Sequence, residues 1–283
     1  MRLALSTLFM LIGLILLKAQ PVAHGKILDA VTKDPVPFVN IGFKKLAVGT
    51  VSDEAGNFEL KIASQNDSVS ISSIGYYELN IVGSDLLKAE EIELVPRQYA
   101  IPEVEITAEI LEETAVVLGY NSDEKKQSVG FGSRQLGTEI GALIKIEKET
   151  YLKSAHFILN HAKGDSLLFR VNIYDFQDGK VGENLLKQNV IITTPQKKGT
   201  LDVDLTEYGI VTDHDVLLSL EWIKNDQGSG NVGITFQAKK SRSLDNFYNK
   251  ETSFADFRKL SDLFPSAPHF YVGFYVVAKQ VGR

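Results

Sequence analysis

An all-β protein of two successive sandwiches is predicted by three features of this sequence. Short runs in which apolar and polar residues alternate recur along most of the chain, Gly, Pro, Asn and Asp punctuate them, and helical periodicity is nearly absent. The 283 residues, 44% hydrophobic and 23% charged, suffice for one large domain or two ordinary ones, each with its own core. The absence of Cys excludes disulfides, thiolate metal sites, iron–sulfur clusters and cysteine nucleophiles together. A formal charge of -6 argues against nucleic acid, because a duplex binder needs a basic face to displace counterions.

Residues 1–19 read as a secretory signal peptide. Arg2 supplies the positive start, Leu3 to Leu17 is nearly all apolar, and cleavage is expected after Ala19. The apolar stretch is shorter than the roughly 20 residues that cross a bilayer, so no span is expected in the mature chain. No Cys follows it to carry a lipid. An exported protein stabilised by burial rather than by disulfides suits the periplasm or outer-membrane surface of a Gram-negative bacterium.

Residues 20–108 form the first expected domain. Lys26 to Ala30 is a strand, Val31 to Pro37 a turn, and Phe38 to Phe43 the next strand. Gly49 to Ser52 and Phe58 to Ile62, joined by the Asp53–Asn57 turn, read as a hairpin. Ser68 to Ile74 alternates again, ending at Gly75-Tyr76, and Glu91 to Leu94 closes the set. Runs this short, spaced about 8 to 12 residues apart, mark a sandwich. Gly25-Lys26-Ile27-Leu28-Asp29, Pro35-Val36-Pro37, Gly49 to Phe58 and Ile71 to Tyr76, in that order, resemble the carboxypeptidase regulatory-like domain. The resemblance implies a seven-stranded, transthyretin-like β-sandwich without catalytic residues, found at the N-terminus of envelope proteins that include TonB-dependent outer-membrane transporters. Ile101 to Ala108 is similar to the segment that leads into the transporter plug. The 175 residues that remain are too few for a plug and a barrel of roughly 22 strands.

Residues 109–283 form the second. Glu109 to Leu118 fits a short helix or a strand. After it come Ala142–Ile146, Ser154–Leu159, Leu167–Tyr174, Asn189–Thr193, Thr200–Leu205, Val216–Ile223, Val232–Ala238 and Phe270–Ala278. This many strands in a chain of that length predict a larger, jelly-roll-like β-sandwich.

No catalytic motif emerges. Gly228 to Gly233 matches a dinucleotide fingerprint literally, but a strand follows where the fingerprint needs a helix. Asp53, Glu54 and Asn57 read as a turn rather than a calcium loop. His156 and His161 are five apart on one strand and so are expected on opposite faces, unable to share a metal. His214 falls in a turn between strands, and Asp202 and Asp204 on the wet face of theirs. Trp222 is in phase with the core, and Tyr271 and Tyr275 are expected there too. Phe247 and Tyr248 differ, because Ser241 to Ser253 reads as a polar loop where rings have less reason to be buried. They are the candidate ligand-facing pair, with Lys239, Lys240 and Arg242 nearby. Asp67-Ser68-Val69 and Asp165-Ser166-Leu167 look like acceptor sites for the O-glycosylation of some glycan-feeding bacteria. The expected function is therefore non-enzymatic, with no cofactor and no metal: binding of a glycan or an envelope protein, the first domain serving as spacer or dock. The alternatives are a polysaccharide or peptide hydrolase using carboxylates of the second domain, and an accessory subunit of an outer-membrane transporter.

Overall fold

Side chains on a strand alternate between two faces, so each apolar face in these runs needs a second sheet to cover it. The computed structural model describes residues 20–98, 115–122, 127–131, 135–163, 167–194, 197–224, 233–241, 245–263, 266 and 268–280. Strand accounts for 59% and helix for 6%, so the all-β expectation holds. The signal segment, the 99–114 junction and the Gly228 motif up to Asn231 and Val232 lie outside the described residues, as do Asp165, Ser166 and Arg242. Among the described residues no helix is long and apolar enough to cross a membrane.

The first domain comprises β1 (Val22–Asp29), β2 (Asn40–Phe43), β3 (Val48–Val51), β4 (Asn57–Lys61), β5 (Ser68–Ser72), β6 (Leu79–Val82) and β7 (Glu91–Leu94). These make one sheet of order β4-β1-β7 and another of order β3-β2-β5-β6. Ile27, Val39, Ile41, Val69, Ile71 and Leu94 fill the space between them. Strand β7 runs parallel to β1, with Ile27 opposite Ile92. The one-turn helix Gly83–Leu86 precedes it and buries Leu86 in the same core.

The expected hairpin is not formed. The Asp53–Asn57 turn is there: Asp53 Oδ1 accepts from the amides of Ala55 and Asn57 at 2.9 and 2.8 Å, and Gly56 takes φ +77°. Its two strands diverge, however, β3 pairing with β2 and β4 with β1. The turn is a corner between sheets, because burying Phe58 and Leu60 requires β4 on the sheet opposite Ile41 and Phe43.

The second domain comprises β8 (Ala115–Gly119), β9 (Gln127–Gly130), β10 (Glu139–Ile144), β11 (Thr150–Lys163), β12 (Leu168–Gln177), β13 (Lys180–Asn184), β14 (Val190–Thr193), β15 (Gly199–Asp204), β16 (Val211–Thr212), β17 (Asp215–Lys224), β18 (Gly233–Ser241), β19 (Phe247–Lys250), β20 (Arg258–Lys259), β21 (His269–Val272) and β22 (Phe274–Gln280). A seven-stranded sheet is ordered β13-β12-β17-β10-β19-β20, with β14 also on β12. An eight-stranded sheet is ordered β21-β18-β11-β22-β8, with β15 and β16 on β11 and β9 on β18. Ile140, Phe157, Phe169, Leu220, Trp222, Phe236 and Phe274 interdigitate between them. Trp222 is core as expected, its indole N–H donating to the Lys224 carbonyl at 2.9 Å.

The first domain packs on the outer face of the seven-stranded sheet. Phe38 and Val51 meet Ile223, with Leu136, Leu168 and Ile191 around them. Gly42 and Gly49, directly paired across β2 and β3, leave a notch with no side chains. The Phe254 ring fills it, so that a Cβ added at Gly42 would come within 2.6 Å of the ring. Gln135 Nε2 donates to the Gly49 carbonyl at 2.9 Å, and Lys224 pairs with Glu54 at 2.9 Å.

Candidate functional site

The residues that face inward on β10, β17 and β12 dictate which face outward. Ile140, Ala142, Leu218, Leu220, Phe169 and Val171 enter the core, which turns Glu139, Ser219, Glu221, Arg170 and Asn172 to the other side. The register then aligns four charges: Lys250 opposite Glu139, Glu139 opposite Glu221, and Glu221 opposite Arg170. They form one row across β19, β10, β17 and β12. Glu139 is 0% exposed and Glu221 and Arg170 2% each.

Like charges directly opposite on a sheet repel, and buried ones do so without water to screen them. Here the row ends in two cations and is padded with donors. Arg170 Nη1 donates to Glu221 Oε2 at 2.9 Å, and Lys250 Nζ lies 3.4 Å from Glu139 Oε2. Asn172 Nδ2 reaches Glu139 Oε1 at 2.8 Å and Glu221 Oε2 at 3.5 Å. The Ser219 hydroxyl donates to Glu139 Oε1 at 2.5 Å, and the Ser253 hydroxyl to Glu221 Oε1 at 3.1 Å. Burial pushes the Tyr174 phenol well above its ordinary pKa, and the neighbouring Glu139 and Glu221 charges push it further. The Lys250 ammonium also sits 5.2 Å from the Phe257 ring centre. Arg170 Nη2 crosses the domain boundary to donate to the Phe38 carbonyl. Phe38 holds φ +57°, a left-handed conformation uncommon for a bulky residue. Both carboxylates are saturated by protein donors, so the row fixes orientation between the domains and offers a substrate no open side.

The outer face of the eight-stranded sheet carries different chemistry. His156 lies between Asp202 on β15 and Tyr275 on β22 in direct register. Its Nδ1 is 2.6 Å from Asp202 Oδ1, and its Nε2 is 2.7 Å from Ser154 Oγ. The imidazole stacks on the Tyr275 ring at 4.5 Å and 9°. Asp202 is 66% exposed and the His156 side chain beside it 15%. A third feature is a shallow cavity of about 170 Å³ in the first domain, lined by Phe43, Lys44, Lys45, Leu46, Asp67, Ser68, Ser70 and Asn80. The Lys44 ammonium there is held by Glu78 at 2.7 Å.

The predicted pair is placed otherwise than expected. Ser241 to Ser253 is not a polar loop, since β19 runs through it and pairs with β10. Phe247 points into the sandwich core at 5% exposure, and Tyr248, 8% exposed, packs on the other face against Phe176 and Leu143. Burial raises the Tyr248 phenol, with Asp262 and Asp245 adding to it. Neither ring is free to stack on a ligand. Tyr271 and Tyr275 are also not core: Val272, Phe274 and Val276 occupy the inner face, turning both tyrosines outward. A β-bulge between Leu159 and His161 resets the alternation, so His156 and His161 share a face instead of opposing. They remain roughly 15 Å apart along the strand. His214 lies in the turn between β16 and β17, 3.4 Å from Asp175. Among the described residues no three His, Asp or Glu side chains converge as a metal site.

No curated protein sequence matches this chain. Among solved structures, the cysteine protease and lectin-like domains of Cwp84, a surface-layer-associated protein of Clostridium difficile, align over 56% of this chain and 37% of that one, at 11% identity and a TM-score of 0.38. The clostridial cysteine protease Cwp84 after propeptide cleavage aligns over 93% of this chain and 66% of its own, at 10% identity and a TM-score of 0.42. The infectious bursal disease virus Gx strain structure aligns over 92% and 59%, at 11% identity and a TM-score of 0.27. The chain thus spans between a third and two thirds of the length of these proteins. A protein family does match, over residues 23–106, which cover all of β1 to β7 but the first residue. The first sandwich of this chain is a CarboxypepD_reg-like domain.

Proposed function

We propose that this is an exported binding protein of a Gram-negative envelope, which takes an extended glycan on the open face of its second sandwich. The observation that carries the reading is the division of chemistry between the two sheet faces. On the seven-stranded sheet the charges of the central row are paired with one another, and Arg170 at its end reaches the first domain. The eight-stranded sheet presents Asp202, Ser154, His156 and Tyr275 on a broad surface, donors and acceptors beside an aromatic pair. Such a surface suits a polyhydroxylated chain better than a small enclosed substrate. The first domain then acts as a rigid spacer, locked to the second through Phe254.

A second reading, docking to an envelope protein, is favoured by one feature of the first domain. Tyr77 and Val95 are exposed at 56% and 55% and joined by a backbone hydrogen bond of 2.9 Å. The Arg97 guanidinium sits 5.9 Å from the Tyr77 ring centre.

A thermal-shift screen of residues 20–283 against oligosaccharides and peptidoglycan fragments tests the leading reading, because a ligand that binds only the folded state raises the melting temperature. A reproducible rise with one glycan class, lost in Tyr275→Ala, supports it. No rise with any glycan, together with co-purification of an envelope protein that Tyr77→Asp abolishes, replaces it with the docking reading. An N-terminus at Gln20 in protein recovered from the native envelope checks the export part.

A further inference from the structure

We infer that Ser154 is an activated nucleophile, which accepts an acyl group from carboxylic esters presented at the open sheet face. The inference does not depend on the binding role proposed above.

Three placements carry it. Asp202 Oδ1 at 2.6 Å accepts the Nδ1 proton of His156, leaving Nε2 as the acceptor for the Ser154 hydroxyl at 2.7 Å. This polarity, carboxylate to imidazole to hydroxyl, draws the proton off a serine. The Tyr275 ring stacked on the imidazole at 9° fixes the plane of the base, a constraint an incidental surface histidine lacks. The third placement is backbone. A β-bulge falls between Leu152 and Ser154, immediately before the nucleophile, and bulges re-aim side chains next to reactive sites. The bulge breaks the alternation ahead of the pair, so that Leu152 and Ala155, three apart, both face the core, while Ser154 and His156, two apart, share the outer face by the ordinary period of a strand.

In the reaction, Ser154 Oγ forms a bond to the ester carbonyl carbon while its proton passes to His156 Nε2. The carbon–oxygen bond to the leaving alcohol then breaks, and the alcohol departs with that proton. The product is acyl-Ser154, which water returns to free serine and carboxylic acid by the same route. The shallow, open surroundings favour short acyl groups carried on an extended molecule over long chains that need a tunnel.

The test uses p-nitrophenyl acetate and residues 20–283. The expected result is a burst of about one p-nitrophenolate per chain, with a mass gain of one acetyl group mapping to Ser154. Ser154→Ala abolishes the burst, and His156→Gln slows it by about 100-fold, the scale of a lost general base. Asp202→Asn changes a mostly exposed side chain, leaves the melting temperature unchanged and slows the burst at least tenfold. No burst above that of Ser154→Ala, or acetylation spread over lysines with Ser154 unmodified, overturns the inference. So does an Asp202→Asn protein that reacts as fast as the original.

Discussion

Glu139 and Glu221 stand directly opposite one another on β10 and β17, both almost wholly buried, in the middle of a row that begins and ends with a cation. Two adjacent carboxylates are tolerated there only because each partner is present, so the row is most sensitive at its ends. Removing one member of a buried ionic network leaves the opposite charge uncompensated, at about 3–5 kcal/mol. Arg170→Ala is expected to lose stability on that scale in urea unfolding. Arg170→Met with Glu221→Leu, which removes a charge of each sign, should cost clearly less. Equal losses in the two proteins would refute the account.

Phe254 in the Gly42–Gly49 notch predicts coupling between the domains. Gly49→Val places side-chain atoms where the ring lies, a Cβ alone coming within 2.9 Å of it. Calorimetry of the parent should give one transition and of Gly49→Val two, the first domain melting separately. Phe254→Ala should do the same with a loss of about 1–2 kcal/mol. Two transitions in the parent would refute it.

Phe247 sits in the core, and Phe247→Ala is therefore expected to cost about 3–5 kcal/mol by leaving a cavity. A variant as stable as the parent in a denaturant titration would show the ring to be dispensable for packing.

The Asp29–Tyr76 pair gives opposite pH limbs. Backbone amides of Thr32 and Val31 hold Asp29 below the usual carboxylate value, so its contribution is complete above about pH 4 and lost as pH falls through the lower folded value. Burial, with the 3.0 Å hydrogen bond to Asp29, pushes Tyr76 up to about 12. Its contribution is complete below the unfolded value near 10 and lost as pH rises from there to about 12. Tyr76→Phe should shallow the alkaline limb of a plot of urea midpoint against pH, to which the raised Tyr174 and Tyr248 phenols also contribute, and Asp29→Asn should flatten the acid limb.

Most of this fold was legible because period-2 alternation follows directly from burying one face of a strand. Trp222, in phase with Val216, Leu218 and Leu220, is placed in the core by it. Partners were not legible: nothing in Gly49–Ile62 distinguishes a hairpin from a corner, since the turn chemistry of Asp53 and Gly56 serves both. A bulge defeats the alternation at His161, because the extra residue has no signature of its own. The short strands β6 and β19 escaped notice, and Phe247 and Tyr248 with them, because polar neighbours masked four residues of pairing. The buried charge row had one sequence signal, charged or polar residues at Glu139, Arg170, Asn172 and Glu221 inside otherwise apolar strands. Read as wet faces, such positions are indistinguishable from Asp202 and Asp204, which truly are exposed.

The Phe38 carbonyl that closes the charge row also sets an order of events. A chain made from its N-terminus exposes Phe38 well before Arg170 exists, and domains generally fold as they emerge. In an exported chain that crosses the membrane N-terminus first, the Phe38 acceptor reaches the far side before the Arg170 guanidinium does. Within the row itself the order is Glu139, Arg170, Glu221 and Lys250, so the second carboxylate meets a cation already present and Lys250 arrives last to complete the row.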